Sequence, residues 1–273
     1  MEPQALKSAL LRVRENGMEP PDAKARHSLS WEMLRHIGST DSELRDGLIY
    51  EILFGWIMGG HIPNGELCDM LAACLDESHL FYRLGEGEAD GVFTRAFSLL
   101  ILVPLIGRHE EAPYLSPEQI EATGAALLDY IPREKDLRGF VPVKGWAHAI
   151  AHAADAAGEL MECPELEKQT ATALAYALTD RVATGEAPLF YGERERVCAA
   201  LRVLWRRGRW SGEEWLAYAQ GLASRMQTRG DGQQCRIAYG ARDFLNALYF
   251  ALRAEENSQT VTSALERALT PAR

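Results

Sequence analysis

Apolar residues recur at helical spacing along most of this chain, and sustained alternation of apolar with polar positions is almost absent. Thr40-Asp41-Ser42-Glu43 reads as a capping box opening a helix that carries Leu44, Leu48, Ile52 and Trp56 on one face, with Gly59-Gly60 as its stop. Asn64 is placed to cap the next helix, which the pattern extends to about Leu84. The longest apolar run, residues 96–107, is too short to span a bilayer and contains Pro104, so it reads as a buried core helix. Ser116-Pro117-Glu118-Gln119 combines a cap, a proline at the first helical position and a glutamine at the third. Pro164 is read as the start of a further helix, and Ser211-Gly212-Glu213-Glu214 as another capping box.

About ten main helices after a shorter N-terminal pair follow from these signals. Gly91, Gly145, Gly192 and Gly240 are read as punctuating the starts of alternate helices at roughly 50-residue intervals, close to the period of two-helix repeats. The expected fold is therefore all-α, a right-handed stack of antiparallel helical hairpins of the HEAT-like, α-α superhelical kind. No linker rich in Pro, Gly or Ser divides the chain. A single helical-repeat domain is expected over residues 1–273, with capping helices in 1–38 and repeated helix pairs in 40–270.

Composition narrows the classes of function. With 47% hydrophobic and 25% charged residues over 273 positions, the chain has enough apolar material for a core. A net charge of -10 repels phosphate backbones and anionic membranes, so neither nucleic acid nor membrane is an expected partner. The cluster Arg202, Arg206, Arg207 and Arg209 is a local exception that reads most simply as a solvated helix end. Residues 1–17 mix charges with leucines and lead into no apolar segment, so no secretory signal is expected. Five cysteines at positions 68, 74, 163, 198 and 235 lack Cys-x-x-Cys spacing. Reduced thiols and a cytoplasmic location are expected.

The most informative segment is 145–160. At helical spacing Trp146, Ile150, Ala153, Ala157 and Leu160 make an apolar face, and His148, His152, Asp155 and Glu159 make a narrow polar stripe opposite it. Alanine and glycine fill the positions between, which suits an inner helix lining a groove. Three readings of the stripe stay open. His148 and His152 at i, i+4 can both reach one divalent metal, with Asp155 as third ligand or as orienter of His152. The zinc-protease pattern would need a glutamate where Ala149 stands. Alternatively the histidines bind a ligand or move protons without metal or other cofactor. In the third reading they are hydrogen-bonded structural residues.

A basic residue follows each punctuating glycine: Arg95, His148, Arg194 or Arg196, and Arg242, with Arg45 in the equivalent place of the first main helix. Stacked repeats would align these at helix N-termini as an anion-recognition edge. Local carboxylates are the competing partners. The loop Asp136-Leu137-Arg138-Gly139-Phe140-Val141-Pro142-Val143-Lys144 feeds the histidine segment and alternates charge with apolar residues, so Asp136 and Arg138 join the candidates. Glu193, at the start of the next inner helix, is a candidate contact or fourth metal ligand.

The run Asp136-x-Arg138-Gly139-x-x-Pro142-x-Lys144-Gly145-Trp146-Ala147-His148-x-x-x-His152-x-x-Asp155 resembles a bacterial family catalogued only as a domain of unknown function. Glu43-Leu44-Arg45-Asp46 with Trp56-Ile57, Val92-Phe93-Thr94-Arg95-Ala96-Phe97-Ser98, Tyr191-Gly192-Glu193 and Leu248-Tyr249-Phe250 are similar to it as well. The resemblance implies an all-helical, HEAT-like fold and carries no activity. The leading functional expectation is a protein that binds a small anionic molecule or acidic peptide through Arg45, Arg95, Asp136, Arg138, Trp146, His148, His152, Glu193 and Arg242. The alternatives are a hydrolase or lyase acting through His148, His152 and Asp155, with or without a metal, and a scaffold for protein partners.

Overall fold

The computed structural model describes residues 1–183, 185, 189–226 and 231–270. Its elements in chain order are α1 (Pro3–Glu15), α2 (Ala23–Arg35), α3 (Ser42–Leu44), a π-helical turn (Arg45–Tyr50), α4 (Glu51–Met58), α5 (Asn64–Cys74) and α6 (Gly91–Glu111). There follow α7 (Pro117–Arg133), β1 (Phe140–Val141), β2 (Gly145–Trp146), α8 (Ala149–Glu162), α9 (Lys168–Val182), α10 (Glu193–Arg206), α11 (Gly212–Met226), α12 (Gly232–Arg253) and α13 (Gln259–Leu269). The fold is all-α. Among the described residues, the two-residue strands β1 and β2 make up the only sheet.

Local capping chemistry sets several boundaries. Ser116 accepts from the Gln119 amide while the Gln119 side chain accepts from the Ser116 amide, the reciprocal box read from sequence. Ser211 and Glu214 repeat the device at α11. At α3 it is Asp41 that caps, accepting from the Leu44 amide. Several boundaries differ from expectation. Pro63 occupies the cap position of α5, which ends at Cys74 rather than near Leu84. Pro164 lies in a turn, and α9 starts at Lys168. Gly240 sits inside α12, where a Cβ would come within 2.8 Å of the Gly185 backbone nitrogen; this glycine admits a neighbouring chain rather than starting a helix.

Packing follows a simple order. α4 lies on α6, α6 on α8, α8 on α10 and α10 on α12, while α5, α7, α9, α11 and α13 cover the other side. α6 is the spine: Val92, Phe93, Ala96, Phe97, Leu99, Ile101, Leu102, Leu105 and Ile106 are all buried. By length and composition α6 is apolar enough to cross a membrane, and 72% of its most apolar window is buried inside the protein. α8 is the central helix of its layer. Its alanines at 149, 151, 153, 154, 156 and 157 are all buried, which lets α6 and α10 approach closely from either side.

Candidate functional site

The histidine segment begins differently from its sequence pattern. Gly145 and Trp146 belong to a hairpin, not to α8, with Phe140 paired to Trp146 and Val141 to Gly145. The turn is Val141-Pro142-Val143-Lys144, closed by Lys144 N–H donating to the Val141 carbonyl at 3.1 Å. Val143, a β-branched residue at φ 71° and 95% exposed, stands at its tip, and Gly145 follows at φ 82°. His148 then takes the left-handed conformation, φ 52° and ψ 31°, as the cap residue of α8. Two non-glycine residues with positive φ six positions or fewer apart put local backbone strain beside the stripe. Trp146 is consequently not on the apolar face of a helix. It stands half-exposed with its ring stacked on His148 at 4.5 Å and 25°.

A chain of buried polar contacts holds the hairpin. Arg95 is 1% exposed and donates through Nε and Nη2 to both oxygens of the fully buried Glu134, at 2.6 and 2.8 Å. Tyr130 Oη and the Asp136 amide also donate to that carboxylate. Asp136 is buried and accepts a forked contact from Arg138, whose Nη2 also donates to the Ala89 carbonyl. The Arg138 carbonyl accepts from His148 N–H and the Gly139 carbonyl from Ala147 N–H. Arg45 completes the support from the π turn. It is fully buried, with its guanidinium over the rings of Phe93 and Phe97 at 4.4 and 4.6 Å, and donates to the carbonyls of Ser39 and Lys144. Its Nε lies 2.8 Å from Asp46 Oδ1.

The expected arginine edge therefore does not form. Arg45 and Arg95 are interior ion-pair residues, and Asp136 serves to hold Arg138. Arg242 is exposed on α12, where its Nη2 reaches the Leu269 carbonyl at 3.5 Å. It lines neither cleft described below. Spacing identified the positions of these arginines but not their partners, because Glu134 lies 39 residues from Arg95 and Lys144 lies 99 from Arg45.

What the structure does bring together is His148, His152, Asp155, Glu193 and Trp146. The two imidazoles meet edge to face at 5.8 Å, and each has a carboxylate near it. His148 Nε2 is 3.7 Å from Glu193 Oε1, and His152 Nδ1 is 3.5 Å from Asp155 Oδ2. Glu193 is buried and accepts from the Tyr191 amide. Burial, helped by the charges of His152 and Arg196, pushes the His148 pKa down to about 4. His152 is 7% exposed, and neither of its ring nitrogens has a hydrogen-bond partner within the protein.

Two clefts flank this wall. The first, of about 590 Å³, lies beside the hairpin and includes Lys135, Arg138, Phe140, Arg181 and Tyr191 among its lining residues. The second, of about 430 Å³, runs along α8 and is the one His152 faces. Its walls are Leu100 and Val103 of α6, Ala154, Asp155, Gly158, Glu159 and Glu162 of α8, and Arg196, Ala199, Ala200 and Val203 of α10, with Tyr50 from the π turn. Arg196 Nη1 donates to both oxygens of Asp155 at 2.9 Å. Tyr50 and Glu162 were not singled out by sequence reasoning; the π turn that presents Tyr50 leaves no periodicity signal in so short a stretch. Among the described residues, no group of three or more His, Cys, Asp or Glu side chains is placed to hold a metal ion.

These features define a class: an all-helical protein whose central alanine-rich helix carries a histidine pair between a strained hairpin and an apolar-sided cleft. Residues 80–250, well over half of the chain, match the family described as "Protein of unknown function (DUF2785)", and the chain belongs to that family. No curated protein and no solved structure gives a significant match to it.

Proposed function

We propose that the chain is a small-molecule-binding protein whose ligand lies in the cleft along α8. The observation that carries this reading is His152. A buried imidazole with two unpartnered nitrogens leaves polar groups unsatisfied at a cost of about 1–3 kcal/mol, and such groups in native proteins are satisfied by water or by ligand. Here the group lines a cleft large enough for an organic molecule and walled by aliphatic side chains. An anionic ligand, expected from the arginine spacing, loses its main support because Arg45 and Arg95 are neutralised internally.

The hydrolase or lyase reading has weaker support. A general base works best with a pKa near the working pH, and a histidine held near 4 accepts protons poorly at neutrality. The scaffold reading is favoured by one observation: Phe140, Val143, Trp146, Phe190 and Tyr191 are all exposed, and Trp146 touches both Phe140 and Tyr191. Contiguous exposed apolar groups of this kind suit a protein partner.

The test is a thermal-shift screen of pooled small metabolites on the full chain and on His152→Ala, with histidine ring resonances followed by NMR. A ligand at 100 times its Kd adds about 2.7 kcal/mol of stability. The expected result is a stabilising compound that shifts the His152 resonances and loses its effect in the variant. If no compound moves His152, the ligand-binding reading falls.

A further inference from the structure

The α8 cleft has a charge pattern that selects among small molecules. Asp155, Glu159 and Glu162 lie along its α8 wall at i, i+4 and i+7, which places successive carboxylates about one helical turn apart. Glu110, at the α6 end, is close enough for Glu159 and Glu162 to act on it; partial desolvation and then those two like charges push it up to about 7. Against these four carboxylates stand two guanidiniums: Arg196 on Asp155, and Arg207 at 3.6 Å from Glu162. Carboxylates outnumber guanidiniums four to two, with Glu110, at about 7, only partly ionised near neutrality, and Glu159 has no cationic partner among the described residues. Burial raises the Glu159 carboxyl as well. An acidic row alone would say little. A second observation joins it: His152, more than nine-tenths buried, lines the same cleft, and neither of its ring nitrogens has a hydrogen-bond partner within the protein.

The shape argues against a bare metal ion as the missing charge. Calcium or magnesium needs several oxygens converging on one point at about 2.0–2.6 Å. Here the carboxylates are strung out along one helix face, and no metal-holding group forms among the described residues. The opposite walls, Leu100, Val103 and Val203, are aliphatic, and a hydrated ion would leave them against water. An elongated organic dication meets both halves of the cleft. Its methylenes cover the aliphatic wall while its ammonium groups, separated by about one helical turn, donate to successive carboxylates. The imidazole of His152 offers a further polar contact in the same cleft.

Resting on the small-molecule reading above, we propose that the α8 cleft binds a linear aliphatic diamine or polyamine, with one ammonium on Glu159 and the other towards Asp155 and His152. The Arg196–Asp155 contact is made by a half-exposed arginine, and such surface pairs contribute only about 0–1 kcal/mol, so ligand can displace it.

The experiment is calorimetric titration of the full chain with 1,4-diaminobutane and with spermidine, using butylamine and magnesium chloride at matched ionic strength as comparators. Saturable binding of a diamine or triamine at one site per chain is expected, with butylamine about tenfold weaker or worse for want of the second charged hydrogen bond. Glu159→Gln should weaken the diamine by about tenfold or more, and binding should shift the His152 ring resonances. If Glu159→Gln loses its helical circular dichroism, Glu162→Gln takes its place in the same comparison. The proposal is overturned if neither amine binds saturably, if the variant binds as tightly as the wild type, or if magnesium competes as well as the diamine does. Failure of the amines while some other small molecule still moves His152 would remove the amine and leave the small-molecule reading standing. Failure of every compound to move His152 would remove both.

Discussion

Replacing Glu134 by alanine tests whether the hairpin and its histidines rest on one buried ion pair. Glu134 is fully buried and accepts from four donors: Arg95 Nε and Nη2, Tyr130 Oη and the Asp136 amide. Arg95, 1% exposed, would keep only the Tyr82 carbonyl at 3.0 Å and a marginal contact to Arg83. Removing one partner of a buried pair strands the other charge, a loss of about 3–5 kcal/mol. For a chain of this size each kcal/mol lowers the melting temperature by roughly 2–4 °C, so Glu134→Ala should melt about 6–20 °C lower. The assay is thermal and urea unfolding followed by circular dichroism. The Arg95→Leu/Glu134→Leu double variant removes both charges together, and should be less destabilised than Glu134→Ala because nothing charged is left buried alone. A Glu134→Ala loss under about 1 kcal/mol would refute the reasoning. So would a double variant that is worse by the full sum of the single losses.

Two further outcomes follow from the same geometry. His148 is held near 4 in the folded chain, against an unperturbed value of about 6.5. The unfolded chain takes up its proton first as pH falls, so His148 contributes stability above about 6.5 that is lost as pH falls towards 4. His148→Asn, which tolerates the left-handed backbone, should flatten the stability profile within that window and nowhere else; an unchanged slope would count against the depressed pKa. Gly240→Ala pits two effects against each other. Alanine adds up to about 1 kcal/mol of helix propensity, but its Cβ would press on the Gly185 backbone, which has no rotamer to give way. Overpacking of this kind costs about 1–3 kcal/mol, so net destabilisation is expected in urea titration, and a stabilised variant would show that the contact yields.

The parts of this molecule that sequence made legible are those set by neighbours a few residues away. The Ser116 and Ser211 boxes are closed by residues three positions on, and the apolar stretch of α6 is its own signature. The start of α8 was not legible, because the alanine-rich periodicity runs smoothly back to Trp146 while the hairpin that claims Trp146 depends on pairing with Phe140. The glycines show the same limit. Gly192 does stand at a helix start, in the left-handed region, whereas Gly240 answers to a chain segment 55 positions earlier. His148, His152, Asp155 and Glu193 were found as candidates from residue type and spacing. Whether each was partnered depended on tertiary contacts, which leave both ring nitrogens of His152 without a hydrogen bond within the protein.

Arg45 carries one more consequence. The stretch shared with the family begins at residue 80, yet the guanidinium that grips the hairpin at the Lys144 carbonyl comes from before that boundary, as does Tyr50 in the cleft wall. The rings of Phe93 and Phe97 pack on this arginine, and both belong to the shared stretch. The family boundary is therefore no seam in the molecule. Cut out on its own, the shared stretch would lose the contact from Arg45 to the rings of Phe93 and Phe97 and to the hairpin, and the α8 cleft would lose Tyr50. Arg45 and Tyr50, both from the π turn that precedes residue 80, are part of the same packed unit as the hairpin and α8.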